Sequence, residues 1–230
     1  MVVLALDTTT KAGSCALTRD GVLLIERAGD PERPHDMRLP GELMTLLDDA
    51  RVALEEIDVY AVATGPGSFT GLRIGIATMQ GLSFAAGKGL IGVSAFDALA
   101  RVMDGTALEP SRIATWIDAW RGEVYAALYE GRREIEPPVV ARPAGLLQRL
   151  HGRRTVFAGD AAAIYRNEIL DVMGAEAEIA EPPLPLLAGT IGAIATEMGQ
   201  SGHQPPPHAI RPVYVRRPDA ELARDARPVR

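Results

Sequence analysis

Residues 59–64, VYAVAT, have the apolar, β-branched character of a buried strand, and they run straight into GPGSFTGLRIG, residues 65–75, which holds four glycines. IATMQGLSFAAG then continues at helical spacing to about Ala86, with Gly87 and Gly89 to close the helix. A strand that passes through a glycine turn into a helix belongs to an α/β layer, in which the sheet is covered by helices. The glycines add a second restriction. Each one inside a helix costs about 1 kcal/mol against alanine, and Gly67, Gly71 and Gly75 fall four apart. A backbone stripped of side chains at that spacing is one that something approaches closely. Leu72, Ile76, Met79 and Ser83 form the neighbouring stripe. Packing within the same lobe accounts for the groove; so does a seam with a helix of another subunit.

The remaining pattern agrees with α/β. VVLALD (2–7) is an unbroken apolar run, as in a strand covered on both faces. GSCALTR (13–19) and VLLIER (22–27) flank Asp20-Gly21, a hairpin signal. Leu39, Leu43, Leu46, Leu47, Ala50 and Leu54 predict a helix over about 36–56, with Pro40 in its first turn. LIGVS (90–94) is a short strand, and Ser94 with Asp97 predicts a capping box for AFDALARVM. DGTALEPS (104–111) is a polar break and a lobe boundary. Beyond it, IATWIDA and EVYAALYE flank WRGE as a second hairpin, and RRTVFAGD with stretches near 161–173 and 186–198 supplies a strand and two helices. Both halves open with paired strands around a turn, a faint echo of duplicated units.

Several functions are disfavoured. The net charge is −6, with nine basic and fourteen acidic groups in residues 1–105 and fifteen and sixteen in residues 106–230. Such a surface grips a phosphate backbone poorly by itself. No apolar run reaches the length of a membrane span, and MVVLALDTTT reads as a first strand rather than a signal peptide. The single cysteine, Cys15, rules out an internal disulfide and fits a reducing compartment. Gly71 is followed by Leu72 and Arg73, not by Lys-Ser/Thr, so the loop is no Walker A motif. Gly71 also arrives one residue late for a dinucleotide fingerprint. The elements of an anion site are nevertheless present. LDTTTKAG places Asp7, Thr8 and Thr9 past the first strand, and Gly65, Gly67 and Ser68 lead into a helix N-terminus. These six are the candidate nucleotide-binding residues, against a plain reading as capped turns. His35 has Leu39, not histidine, four residues on, which argues against a metal site. Asp118, Arg121 and Glu123 read first as hairpin residues.

LALDTTT, GPGSFTGLRIGIATMQGL, DAWRGEVYAALY and PVYVR, in that order, closely resemble the TsaB (YeaZ) family over about residues 1–216. The resemblance implies a two-lobed actin-like, sugar-kinase-like (ASKHA) fold, each lobe a mixed sheet with packed helices. Residues 1–105 would form the lobe carrying the partner-binding helices, and residues 106–230 a second α/β lobe ending in an Arg-rich tail. It implies a non-catalytic, cytoplasmic subunit that acts with TsaD and TsaE in transferring threonylcarbamoyl to N6 of the adenosine beside the tRNA anticodon. Its partners would be TsaD in a heterodimer, TsaE, and a second copy of itself, with tRNA reached only through the complex. No cofactor would be held tightly, although ATP or ADP would sit at the interface with TsaD. TsaD carries an H-x-x-x-H metal motif; the comparable HDMRL here lacks the second histidine. The partner interface would then comprise His35, Leu39, Leu43 and Leu47 on one helix and Gly71, Leu72, Gly75, Ile76, Met79 and Ser83 on the next. Two other functions stay open at this point: an ATP-dependent phosphotransferase with DTTT and the glycine loop as its cradle, and a glycoprotease-like peptidase.

Overall fold

The first sheet is built outward from β1 (Val2–Asp7), buried from Val3 onward. β2 (Ser14–Arg19) and β3 (Val22–Ala28) return antiparallel, while β4 (Val59–Gly65) and β5 (Gly89–Ser94) run parallel to β1, giving the order β3-β2-β1-β4-β5. The β2–β3 turn is made by Asp20 and Gly21 at φ 52° and 80°, the left-handed pair that a two-residue hairpin requires. The structure is a computed structural model and describes residues 1–104, 112–203 and 205–215.

α1 (His35–Ala50) and α2 (Phe69–Ala86) cover one face of this sheet; Leu39, Leu43, Leu46, Leu47, Ile76 and Met79 pack with Leu4, Leu17 and Tyr60. α3 (Ala95–Asp104) and α7 (Ala188–Gln200) cover the other face. The second sheet holds β6 (Arg112–Asp118), β7 (Val124–Glu130), β8 (Arg133–Ala141), β9 (Thr155–Ala158) and β10 (Ala177–Ile179) in the order β10-β9-β6-β7-β8. α4 (Pro143–Leu150), α5 (Asp160–Ile164) and α6 (Arg166–Met173) back it through a core centred on Trp116 and Phe157. The two sheets therefore repeat one topology: an antiparallel meander of three strands, then two strands joined in parallel on the other side of the first. One apolar core joins them, with Val3, Ala5 and Ala61 in the same cluster as Ile113, Ile117 and Val156. Across this junction the Tyr129 hydroxyl donates to Asp97 Oδ1 at 2.7 Å.

Four features differ from the sequence reading. Helix α1 stops at Ala50 rather than near residue 56, because Arg51 turns left-handed (φ 53°, ψ 43°) and its N–H closes on the Asp48 and Leu47 carbonyls. It begins at His35, so Pro40 lies inside it and forgoes the helical bond to the Asp36 carbonyl. β8, α4 and β10 were not expected: β8 contains Pro137 and Pro138, which cannot donate to a ladder and are tolerated because β8 is an edge strand. Finally, α7 belongs by sequence to the stretch 106–230 but packs on β1 and β2, where the hydroxyl of Ser14 accepts the Leu187 and Ala188 N–H groups. Ser94 does cap α3, accepting the Phe96 N–H at 3.2 Å, whereas Asp97 turns to Tyr129. The expected break at 104–111 falls almost wholly outside the described residues, as does the Arg-rich tail.

Candidate functional site

The glycine loop approaches its own chain. Gly65 and Gly67 take φ 107° and 156°, and the Ser68 hydroxyl caps α2 by accepting the Gly71 N–H at 3.2 Å. The Ser68 N–H donates to the Thr9 carbonyl at 2.7 Å. A Cβ on Gly67 would meet the Thr9 side chain at 2.6 Å, and one on Gly71 would collide with the Thr8 carbonyl. One on Gly75 would meet Thr8 Cβ at 3.1 Å, with the Thr8 hydroxyl closer still. The three glycines therefore seat the turn after β1. That turn closes on itself, since Asp7 Oδ1 accepts the Thr9 N–H at 2.9 Å. Burial pushes the Asp7 carboxyl above the usual range, against the lowering effect of its hydrogen bonds from Thr9.

The candidate nucleotide residues take part in this packing. Asp7, Thr8, Thr9, Gly65 and Gly67 are all buried, and their close approaches are to one another and to neighbouring residues. Ser68, half-buried, has both its N–H and its hydroxyl engaged within the chain. The candidate partner ridge is largely internal as well. Leu39, Leu43, Leu47, Gly71, Leu72, Gly75, Ile76, Met79 and Ser83 all face inward, and Thr8, against which the glycines pack, is wholly buried. Ser83 donates to the Lys88 carbonyl at 2.6 Å, closing the end of α2. Of the ten interface candidates only His35 is partly open; its Nε2 is buried and unpartnered, and burial lowers its pKa, with the Arg38 charge adding to the shift. A stripe of small residues records close packing without recording which side it comes from.

The opposite faces of the same two helices are open. On α1, Met37 is 69 % exposed and Met44 52 %, with Gly41 between them and clear of any neighbour. On α2, Ile74, Ala77, Gly81 and Phe84 lie on one side at helical spacing; Phe84 is 87 % exposed, and nothing lies within 4 Å of a Cβ on Gly81. The helices are neighbours on one side of the sheet, so these residues form one layer of apolar knobs and bare backbone.

A strap formed by residues 205–215 fixes α2 in place. Gln80 Nε2 donates to the Pro207 and Ile210 carbonyls at 2.9 and 3.0 Å, and the Val213 N–H donates to Thr64 O at 2.8 Å. Tyr214 stacks obliquely on Phe69, its hydroxyl accepting from Arg73 Nε at 3.1 Å, while the Arg73 guanidinium lies 3.9 Å over the Phe69 ring. In the second hairpin, Trp120, Arg121 and Gly122 all take positive φ, and Asp118 Oδ1 accepts the Trp120 N–H at 2.9 Å. Asp118 is thus a turn residue, held in turn by Asp160, whose Oδ1 accepts the Asp118 N–H. Among the described residues no group of three or more His, Cys, Asp or Glu side chains could hold a metal ion, and no helix is long and apolar enough to cross a membrane.

Residues 30–183 match the family model described as TsaD, tRNA N6-adenosine threonylcarbamoyltransferase. The chain is 27 % identical over 239 residues to the tRNA threonylcarbamoyladenosine biosynthesis protein TsaB of Bacillus subtilis, covering 96 % of each. It is 38 % identical over 133 residues to TsaB of Escherichia coli, covering 56 % of this chain and 55 % of that one. The solved structure of YeaZ from Pseudomonas aeruginosa superposes with a TM-score of 0.74 at 30 % identity, covering 93 % of this chain and 99 % of the other.

Proposed function

This chain belongs to the TsaD family in its TsaB (YeaZ) branch, and from that premise we propose that it is a non-catalytic assembly subunit in the biosynthesis of threonylcarbamoyladenosine in tRNA. It docks a TsaD-type partner through the outward faces of α1 and α2. The observation that carries this reading is the layer made by Met37, Gly41, Met44, Ala77, Gly81 and Phe84. Large apolar side chains alternating with bare glycine backbone are what another pair of helices packs against at short interaxial distance. The two-lobed actin-like arrangement matches the family, and the glycine loop that a phosphotransferase would use is filled by Thr8 and Thr9. Nucleotide at the junction with the partner would be held by residues other than Asp7, Thr8, Thr9, Gly65 and Gly67, whose packing is internal.

The test is co-expression with the TsaD of the same organism. A Cβ at Gly81 meets no described neighbour within 4 Å, so Gly81→Arg should fold with an unchanged melting temperature and lose capture of the partner. Met44→Glu should do the same. Capture of TsaD by both folded variants at wild-type yield would sink the assignment of this face.

A further inference from the structure

β3 is an edge strand whose ladder partner, among the described residues, is β2 alone. Its register with β2 shifts between Leu17 and Thr18, leaving Leu24 unpaired between two regular stretches, Val22–Leu23 and Ile25–Ala28. Gly29 N–H donates to the Gly13 carbonyl, and in an antiparallel ladder such pairs recur at every second residue. Ile25 and Arg27 therefore face β2 with their main-chain groups, while those of Glu26 and Ala28 point away from the sheet. An open edge of this kind is a template for another strand.

Beside it lies a groove of about 350 Å³ between β3 and the outer flank of α1, lined by Arg27, Arg33, Arg38 and Glu42, with Cys15 at the sheet side and Met37 on the helix. Three cations line it against Glu42, and with Asp49, which pairs with Arg27, the local excess is one positive charge on a chain whose net charge is −6. Arg38 pairs with Glu42 and donates to the Lys11 and Ala12 carbonyls, and Arg27 reaches Asp49 at 2.7 Å. Arg33 is exposed, and its guanidinium has no partner among the described residues.

We propose that the open edge of β3 and the arginine groove beside it form a docking site for an extended acidic segment of a partner protein. The segment adds as a sixth strand through the main chain of Glu26 and Ala28. A carboxylate on the side of the sheet facing α1 enters the groove and meets Arg33, with Arg27 and Arg38 behind it. Main-chain bonds hold the strand, and the charge of the groove selects an acidic sequence over a neutral or basic one. On its helix side this surface shares Met37 and Gly41 with the layer assigned above to the TsaD-type partner.

The experiment uses the full chain and a fluorescein-labelled nine-residue peptide alternating valine and glutamate, read by fluorescence anisotropy. A peptide with lysine for glutamate is the control. Two variants leave the fold alone. Ala28→Pro removes only an outward N–H at an edge, and Arg33→Glu reverses an unpaired surface charge. The expected result is saturable binding of the acidic peptide, weakened at least tenfold by each variant at unchanged melting temperature, with no binding of the lysine peptide. Hydrogen exchange should show the Glu26 and Ala28 amides slowed by the acidic peptide. Absence of binding to the wild type, equal binding of both peptides, or binding that survives both substitutions would overturn the proposal. So would slowed exchange at these amides in the unliganded chain that grows with protein concentration, which would give the edge to a second copy.

Discussion

Gly75 and Gly81 sit in the same helix and offer a matched pair of alanine substitutions with opposite outcomes. At Gly81 a Cβ meets nothing within 4 Å, so Gly81→Ala keeps the full helix-propensity gain of about 1 kcal/mol. At Gly75 the same Cβ would lie 3.0 Å from Thr8 Cγ2 and 3.1 Å from Thr8 Cβ, with the hydroxyl nearer. Carbon atoms rest about 3.5–4.0 Å apart, so the helix or the turn must retreat by roughly half an ångström or more. Thr8 is wholly buried and β-branched, with no free rotamer space to give. Overpacking of this kind costs about 1–3 kcal/mol, which offsets the propensity gain and at the upper end leaves Gly75→Ala about 2 kcal/mol less stable than wild type. The two variants should then differ by about 3 kcal/mol, or roughly 6–12 °C in melting temperature for a chain of this size. Urea unfolding followed by tryptophan fluorescence reads the difference directly. Adding Thr8→Ala to Gly75→Ala removes the colliding hydroxyl and methyl, and because that hydroxyl has no hydrogen-bond partner, the double variant should recover part of the loss. If Gly75→Ala proves as stable as Gly81→Ala, the turn after β1 is not what the glycines accommodate.

Burial raises the Asp7 carboxyl pKa, with Glu26 adding to the shift and the hydrogen bonds from Thr9 opposing it. A carboxyl raised in the folded state binds more protons there than in the unfolded chain. Its stabilising contribution is complete below the unfolded value of about 3.9 and is lost as pH climbs through the raised folded value. Asp7→Asn keeps an acceptor for Thr9, so its melting temperature should gain on the wild type as pH rises from about 4 to 7; parallel profiles would contradict this. The Cys15 thiol is pushed up to about 11, chiefly by burial, so a disulfide reagent at neutral pH should label it only in denaturant; prompt labelling of the native chain would place it in solvent. Tyr129→Phe deletes the hydrogen bond to Asp97 across the two sheets. A bond to a charged acceptor that is itself exposed stands near 1.5 kcal/mol, the lower end of its range, so the melting temperature should fall by roughly 3–6 °C; an unchanged value would mean the two sheets are held by the apolar core alone.

The strands of the first sheet were legible because each is bounded by a turn residue with a definite backbone preference, as at Asp20-Gly21 and Gly87. Sequence resemblance supplied the two-lobed fold, and the repeated sheet order gives physical content to the faint duplication seen in the two hairpins. β8 was missed because Pro137 and Pro138 argue against a strand unless its edge position is known, and β10 because three residues carry no readable alternation. The candidate interface is the more instructive case. Helical periodicity places Gly71, Leu72, Gly75, Ile76 and Met79 together, but α2 carries apolar residues on its outer side as well, at Ile74, Ala77 and Phe84. Where both sides of a helix are apolar, spacing cannot say which one meets the sheet; Thr8 decides it, from some seventy residues away. The exposed layer of Met37, Met44 and Phe84 could have been found by asking which apolar residues remain after the inner stripe is assigned.

The course of α7 has a consequence for how the molecule is made. Its residues, 188–200, cover a sheet whose strands are all complete by residue 94. As the polypeptide leaves the ribosome, Val3 and Ala5 lack this cover until residues 188–200 have emerged, about a hundred residues after the sheet's last strand. A truncated product, or a ribosome stalled early, exposes a sticky hydrocarbon surface of the kind on which chaperones and proteases act.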